Sequence, residues 1–272
     1  MLELQLDLFS DICVRPEHRL PRSLPSPLAP AEMDDEALIA AIPQSQFADS
    51  SQLAAEAGRR RLAGAVSALA ELCLRFAGFG VDRLVPEQAA AIEGLAVIGG
   101  RDAAQAVAEI IERAVVSGPA LKLAVSAAAR LRSTVPPDLL RSLLRHPEPN
   151  IRADACRCAR PSPDIIAILI HLLDDPERAA ARSAACALGM MGRGEARPTI
   201  KTLLREAPSR EVIDAAVSIA DEECLVLLGR IARATPGLAD VALDALENVD
   251  HPRAGVIAAV LRAAREPKEN AA

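Results

Sequence analysis

The chain has no tryptophan and no tyrosine, and its four phenylalanines stand at 9, 47, 76 and 79. Beyond that point it offers no ring on which a nucleobase could stack. Histidine is nearly as scarce, at 18, 146, 171 and 251, and none falls into a nucleophile pattern with a serine, cysteine or acid. No strand is predicted anywhere in the chain, so no phosphate loop can follow one. No stretch of eighteen apolar residues runs without charge, which excludes a membrane span. The opening residues, MLELQLDLFSD, carry acids and no basic region, unlike a signal peptide.

Disulfide and metal patterns are missing too. The six cysteines, at 13, 73, 156, 158, 186 and 224, mostly fall on the apolar phase of helical stretches, where a thiol acts as a small hydrophobe. Cys156 and Cys158 are two apart, which puts them on different helix faces and fits no zinc spacing. These features predict a reduced, cytoplasmic protein with no metal and no cofactor. The net charge of −6, with arginines and acids interspersed, argues against a general nucleic-acid binder.

What the chain does have is a period. Pro86, Pro119, Pro147, Pro176, Pro208 and Pro236 return at intervals of 33, 28, 29, 32 and 28 residues, each opening an alanine-rich helical stretch. A repeat of that length predicts a stack of helix pairs, each in contact only with its neighbours. Burial along the whole array accounts for an apolar fraction of 51% in a chain with no membrane span.

The helical pattern places pairs at 87–98 with 103–116, 120–131 with 138–145, and 150–159 with 164–173. Three more follow at 177–188 with 196–205, 209–220 with 222–233, and 238–247 with 254–264. Pro176 is expected at the start of a first helix, where its missing N–H costs nothing. Ahead of the array, a short helix is predicted over 34–42, capped by Asp34 and ended by Pro43. A longer helix, capped by Ser50 or Ser51, is expected to run to Phe76 and close at Gly78 and Gly80. The resulting organisation is a disordered proline-rich tail over 1–33, capping helices over 34–84, the array over 85–265, and a disordered end over 266–272.

The run Asp174-Asp175-Pro176, Arg182-Ser183-Ala184-Ala185 and Ala187-Leu188-Gly189 resembles the HEAT repeats, especially the short variety found in phycobilisome lyases. His146-Pro147 and Ile151-Arg152 form a weaker second copy, and Asp214 stands where Arg182 would in a later unit. The resemblance implies an all-α, right-handed superhelical solenoid of about six helix pairs that binds protein partners. HEAT-like arrays also include lyase accessories that assist bilin attachment and glycosylases that hold a damaged base between aromatic rings. The missing aromatics speak against the last of these. Arg152, Arg157, Arg178 and Arg182 recur at the start of first helices and form a candidate nucleic-acid or partner face. Their other reading is solubility and pairing with Asp174, Asp175 and Glu177.

The sharpest signal lies outside the array. Gln5-Leu6-Asp7-Leu8-Phe9 resembles, at all five positions, the peptide by which bacterial proteins dock on the sliding clamp of the replicative polymerase. The resemblance implies that Gln5 anchors by hydrogen bonding, Leu6 packs, Asp7 fills the variable position, and Leu8 and Phe9 fill an apolar pocket. Residues 10–33, carrying Pro16, Pro21, Pro25, Pro27 and Pro30, could span roughly 70 Å as an extended linker. The same peptide could instead fold back on the array. The reading that results is a bacterial, non-catalytic interaction scaffold recruited to a clamp.

Overall fold

The computed structural model describes residues 29–264. Among them it holds fifteen α-helices, six short 3-10 turns and no strand, the all-α solenoid that the proline period predicts. A short leading helix, α1 (Asp35–Ala41), is followed by seven helix pairs. They are α2 (Phe47–Arg59) with α3 (Val66–Arg75), α4 (Pro86–Ile98) with α5 (Gly100–Glu112), and α6 (Gly118–Leu131) with α7 (Pro137–Leu144). Then come α8 (Pro149–Cys158) with α9 (Pro163–His171) and α10 (Arg178–Met190) with α11 (Arg197–Glu206). The array ends on α12 (Arg210–Val217) with α13 (Glu222–Ala234) and α14 (Ala239–Asn248) with α15 (Pro252–Ala263).

The first pair is a departure from the sequence reading, which ran one helix from Ser50 to Phe76. The chain instead breaks at Arg60–Leu62, where Arg61 adopts a left-handed φ of 55°. Gly58 and Gly64 flank that break, but neither takes the left-handed turn, which falls on Arg61 instead. Burial of Leu53, Ala54 and Ala57 on one side, and Leu69 and Leu72 on the other, selects two packed helices over one long rod. The helix also starts earlier than expected, leaving Ser50 buried inside it and bonded to the Ser45 hydroxyl at 2.9 Å. Asp34 caps α1 as predicted, its carboxylate accepting the Ala37 N–H at 2.7 Å. Pro176 lies ahead of α10 rather than within it, since the helix begins at Arg178 with Glu177 at its N-cap.

Side-chain size sets the packing. First helices stack on one another at every step of the array, through Ala and Gly. Gly58 and Gly94 meet so closely that a Cβ on Gly58 would lie 2.7 Å from the Gly94 Cα. Gly189 on α10 meets α12 in the same way, a Cβ there lying 2.5 Å from the Ala215 carbonyl oxygen. Second helices bury Leu72, Ile110, Leu144, Leu169, Ile200 and Leu228, facing Ile92, Leu95, Ile151, Leu188 and Ile213 of the first helices. Each such side chain contributes about 1.5–3 kcal/mol by leaving water. Second helices touch one another at some steps and scarcely at others, as between α9 and α11. The stack is therefore tighter in its first-helix layer than in its second over most of its steps.

Candidate interaction surface

The predicted clamp peptide, Gln5 to Phe9, lies outside the described residues. The structure does show where the chain leading from it is fixed. Pro30–Glu32 forms a 3-10 turn inside what the sequence assigned to the tail, and Arg60 holds it. The Arg60 guanidinium donates to the carbonyls of Pro30 and Ala31, each at 2.9 Å, and of Met33 at 2.8 Å. Its remaining bonds go to Asp35 at 2.9 Å and Glu56 at 2.7 Å, so every donor of the fork has an acceptor. Arg59 joins it on Glu56, and the two guanidiniums hold that carboxyl down at about 2.

The four arginines proposed as a face separate by what they bond. Arg152 grips Asp175 with two bonds of 2.8 Å and caps the carbonyls of His146 and Pro147 at 2.8 and 2.9 Å. Its side chain is 13% exposed and that of Asp175 is 5% exposed. The hydrogen bonds from Arg152 lower the Asp175 pKa although burial works against them. Arg182 donates to the Ser209 hydroxyl at 2.7 Å, and Ser209 in turn caps α12. Lys122 faces Glu148 at 3.7 Å. Lys122, Arg152 and Arg182 are thirty residues apart, and each reaches from one first helix to the entry of the next. They form a structural ladder.

Arg157 makes a longer reach. It bonds Asp154 at 2.7 Å on its own helix and Glu211 at 3.0 and 3.4 Å on α12, passing over α10. Arg178 alone of the four is exposed with no bonded partner among the described residues. The four therefore do not make one continuous cationic track, because Arg152 is spent on Asp175 and two carbonyls and Arg157 is neutralised by Asp154 and Glu211.

Cys73, Cys156, Cys158 and Cys186 are buried, and burial pushes each thiol up to about 12. Cys156 and Cys158 are both covered because a first helix is flanked on two sides, which a single apolar stripe would not suggest. Among the described residues no group of His, Cys, Asp and Glu is placed to hold a metal ion. None of their helices is long and apolar enough to cross a membrane. His146 and His251 do more than sit in turns. Each accepts, through Nδ1, the backbone N–H two residues on, from Glu148 at 3.1 Å and Arg253 at 3.2 Å.

Two clefts open on the outer layer, either side of α9. One, of about 730 Å³, lies between α7 and α9 and is lined by Arg141, Arg145, His146, His171, Asp164 and Asp174 among others. Its charges largely cancel, Arg141 being held by Asp138 and by Asp164 at 3.1 Å. The second, of about 540 Å³, lies between α9 and the turn before α11 and is more apolar, with Ile166, Ala167 and Ile170 on one wall. Sequence reading missed both, since each depends on how far apart the second helices stand.

Residues 136–220, from α7 to just past α12, match the family model for HEAT repeats. That stretch contains the whole Asp174–Gly189 run and the second copy at His146–Arg152. HEAT repeats are generally protein-interaction scaffolds. No curated protein matches the chain.

Proposed function

We propose that this protein is a non-catalytic interaction scaffold that docks on a bacterial sliding clamp through Gln5–Phe9 and carries a second protein on its array. The observation that carries the reading is the five-position peptide, joined to an array whose first turn is locked by Arg60. A peptide on a tether recruits cargo only if the tether ends on something rigid, and Arg60 supplies that end.

The energetics suit recruitment. Burying Leu6, Leu8 and Phe9 in a partner contributes roughly 1.5–3 kcal/mol each. Ordering the tail offsets several of those, leaving an affinity on the order of micromolar. The splayed outer layer, with its two clefts, supports the idea that the array holds a protein rather than a small substrate. The nucleic-acid reading of the arginines is weakened by the ladder, which leaves Arg178, of those four, without a bonded partner among the described residues.

The test is biolayer binding of the full chain to a bacterial sliding clamp, alongside a Leu8→Ala/Phe9→Ala variant. Micromolar binding lost in the variant, with helicity unchanged, is the expected result. Binding that survives the double change sinks the clamp assignment.

A further inference from the structure

The cleft between α9 and the turn before α11 is a built but unfilled feature of the array. Ile166 and Ile170 are half-buried in its wall, Ala167 is exposed between them, and Pro161 and Pro163 close one end. Arg193 forms the opposite side. Its Nη2 is bound to Glu195 at 2.6 Å, and its side chain is 43% exposed. An apolar wall beside an accessible guanidinium suits an extended segment that presents leucines together with carboxylate or carbonyl oxygens.

The chain carries such a segment. Leu2, Leu4, Leu6 and Leu8 alternate strictly with Glu3, Gln5 and Asp7. Extended, this stretch shows four leucines on one side and two acids and an amide on the other. It is the strictest apolar–polar alternation near the start of the chain, and it lies just outside the array.

The tether is also suitable. Arg60, which holds Pro30, directly follows α2, and the turns at 159–162 and 191–193 follow α8 and α10. All three come after first helices, which run parallel from pair to pair, so they share one edge of the array. Three steps separate the pair of α2 from that of α8, about 30 Å at about 10 Å per packed helix. Residues 10–29, twenty in number, span about 60 Å at the polyproline rise. The segment therefore reaches the cleft with slack, at an effective concentration on the order of millimolar.

We infer that residues 2–9 dock in the cleft formed by α9 and the α10–α11 turn of their own chain, with leucines against Ile166 and Ile170 and an acidic side chain or carbonyl on Arg193. Leu6 and Leu8 are thereby covered, and any outside partner of that peptide must compete with the array. The inference uses the residues of the proposed clamp tether, but it holds whether or not a clamp binds them.

The test uses the full chain with no clamp present. A nitroxide on Cys13, four residues past Phe9, is selective because the five other cysteines are buried. Methyl spectra should show several-fold loss of intensity at Ile166 and Ile170, with Ile92 and Ile257 unaffected. Ala167→Arg, at an exposed position, and separately Leu6→Ala/Leu8→Ala, should each restore the signals. Absence of broadening in the native chain overturns the inference, as does broadening centred elsewhere. So does broadening that persists in both variants. Broadening that appears between a labelled chain and an isotope-labelled unmodified chain assigns the cleft to a second copy, and also overturns it.

Discussion

Arg157 on α8 bonds Glu211 on α12, fifty-four residues on, across the intervening helix α10. Two helices two steps apart can share an ion pair only if the helix between them is thin, and α10 is thin because its sequence is RAAARSAACALGM. Cys186 lies beneath the pair, close enough to feel the charges of Glu211, Arg182 and Arg157. The contact fastens three consecutive repeats at once. Its side chains are 41% and 29% exposed, so water and salt screen it. Arg157→Ala should cost only about 0.2–1 kcal/mol, and the cost should shrink in high salt. Urea unfolding at low and high ionic strength measures both.

Arg152 and Asp175 are the contrasting case. Their pair is partly buried, doubly bonded and joined to two backbone carbonyls. Removing Arg152 takes all four of these bonds from Asp175 and the carbonyls, and Arg152→Ala should cost about 1.5–3 kcal/mol, with less salt dependence than Arg157→Ala. Equal, salt-sensitive losses for the Arg152 and Arg157 variants would show that the buried ladder contributes no more than a surface pair.

The same contact fixes the acid limb of stability. Asp175 is held below its ordinary range by its bonds from Arg152. Asp221 sits at about 2, where bonds from Lys201 and the Cys224 N–H outweigh a burial that pushes it up. Both carboxyls titrate near 3.9 when unfolded. A depressed folded pKa gives stability that is complete above the unfolded value and is lost as pH falls through the folded one. Stability should therefore be level above about pH 4 and decline toward pH 2. Asp175→Asn should be less stable than the native chain at pH 7 and converge on it as the pH falls through the lowered folded pKa of Asp175. A gap of constant size across that range would remove Asp175 from the acid transition.

Much of this was legible in the sequence, for a definite reason. Proline spacing and the small first-helix residues act locally, and each repeat sees only its neighbours, so Ala184, Ala187 and Gly189 specify their own packing. The break at Arg61 was not legible, because a left-handed arginine carries no local signal and is selected by packing on both sides. The roles of Arg152 and Arg157 were half legible. Their charges suggested pairing with Asp175, but the reach to Glu211 depends on how thin α10 is between α8 and α12. The clefts beside α9 depend on the spacing of the second helices and had no signature at all.

Gly189 tests whether the close approach of first helices sets that spacing. In an open helix, replacing glycine by alanine stabilises by up to about 1 kcal/mol. Here the new Cβ would lie 2.5 Å from the Ala215 carbonyl oxygen, so α10 and α12 must move apart. Gly189→Ala should destabilise by about 1–3 kcal/mol despite its better propensity. It should also weaken the Arg157–Glu211 coupling, since that pair spans the displaced helix. A double-mutant cycle in the Gly189→Ala background reads this, and an undiminished coupling would mean that α8 and α12 keep their spacing independently of α10.

Thiol accessibility gives the most direct test of the array's integrity. Burial pushes Cys73, Cys156, Cys158 and Cys186 up to about 12 and raises Cys224 as well. At pH 8 these groups are neutral and covered, and they have neither the thiolate nor the access that disulfide exchange needs. Of the six cysteines only Cys13 lies outside the described array. With an aromatic disulfide reagent, the native chain should release at most one equivalent quickly, and six after unfolding in guanidinium. The slow remainder should react together, at the rate of global opening, because all five belong to one stack. If Cys224 instead reacts ahead of the other four, the C-terminal pairs α12 to α15 open as a separate unit, and the array is less cooperative than its continuous first-helix layer implies.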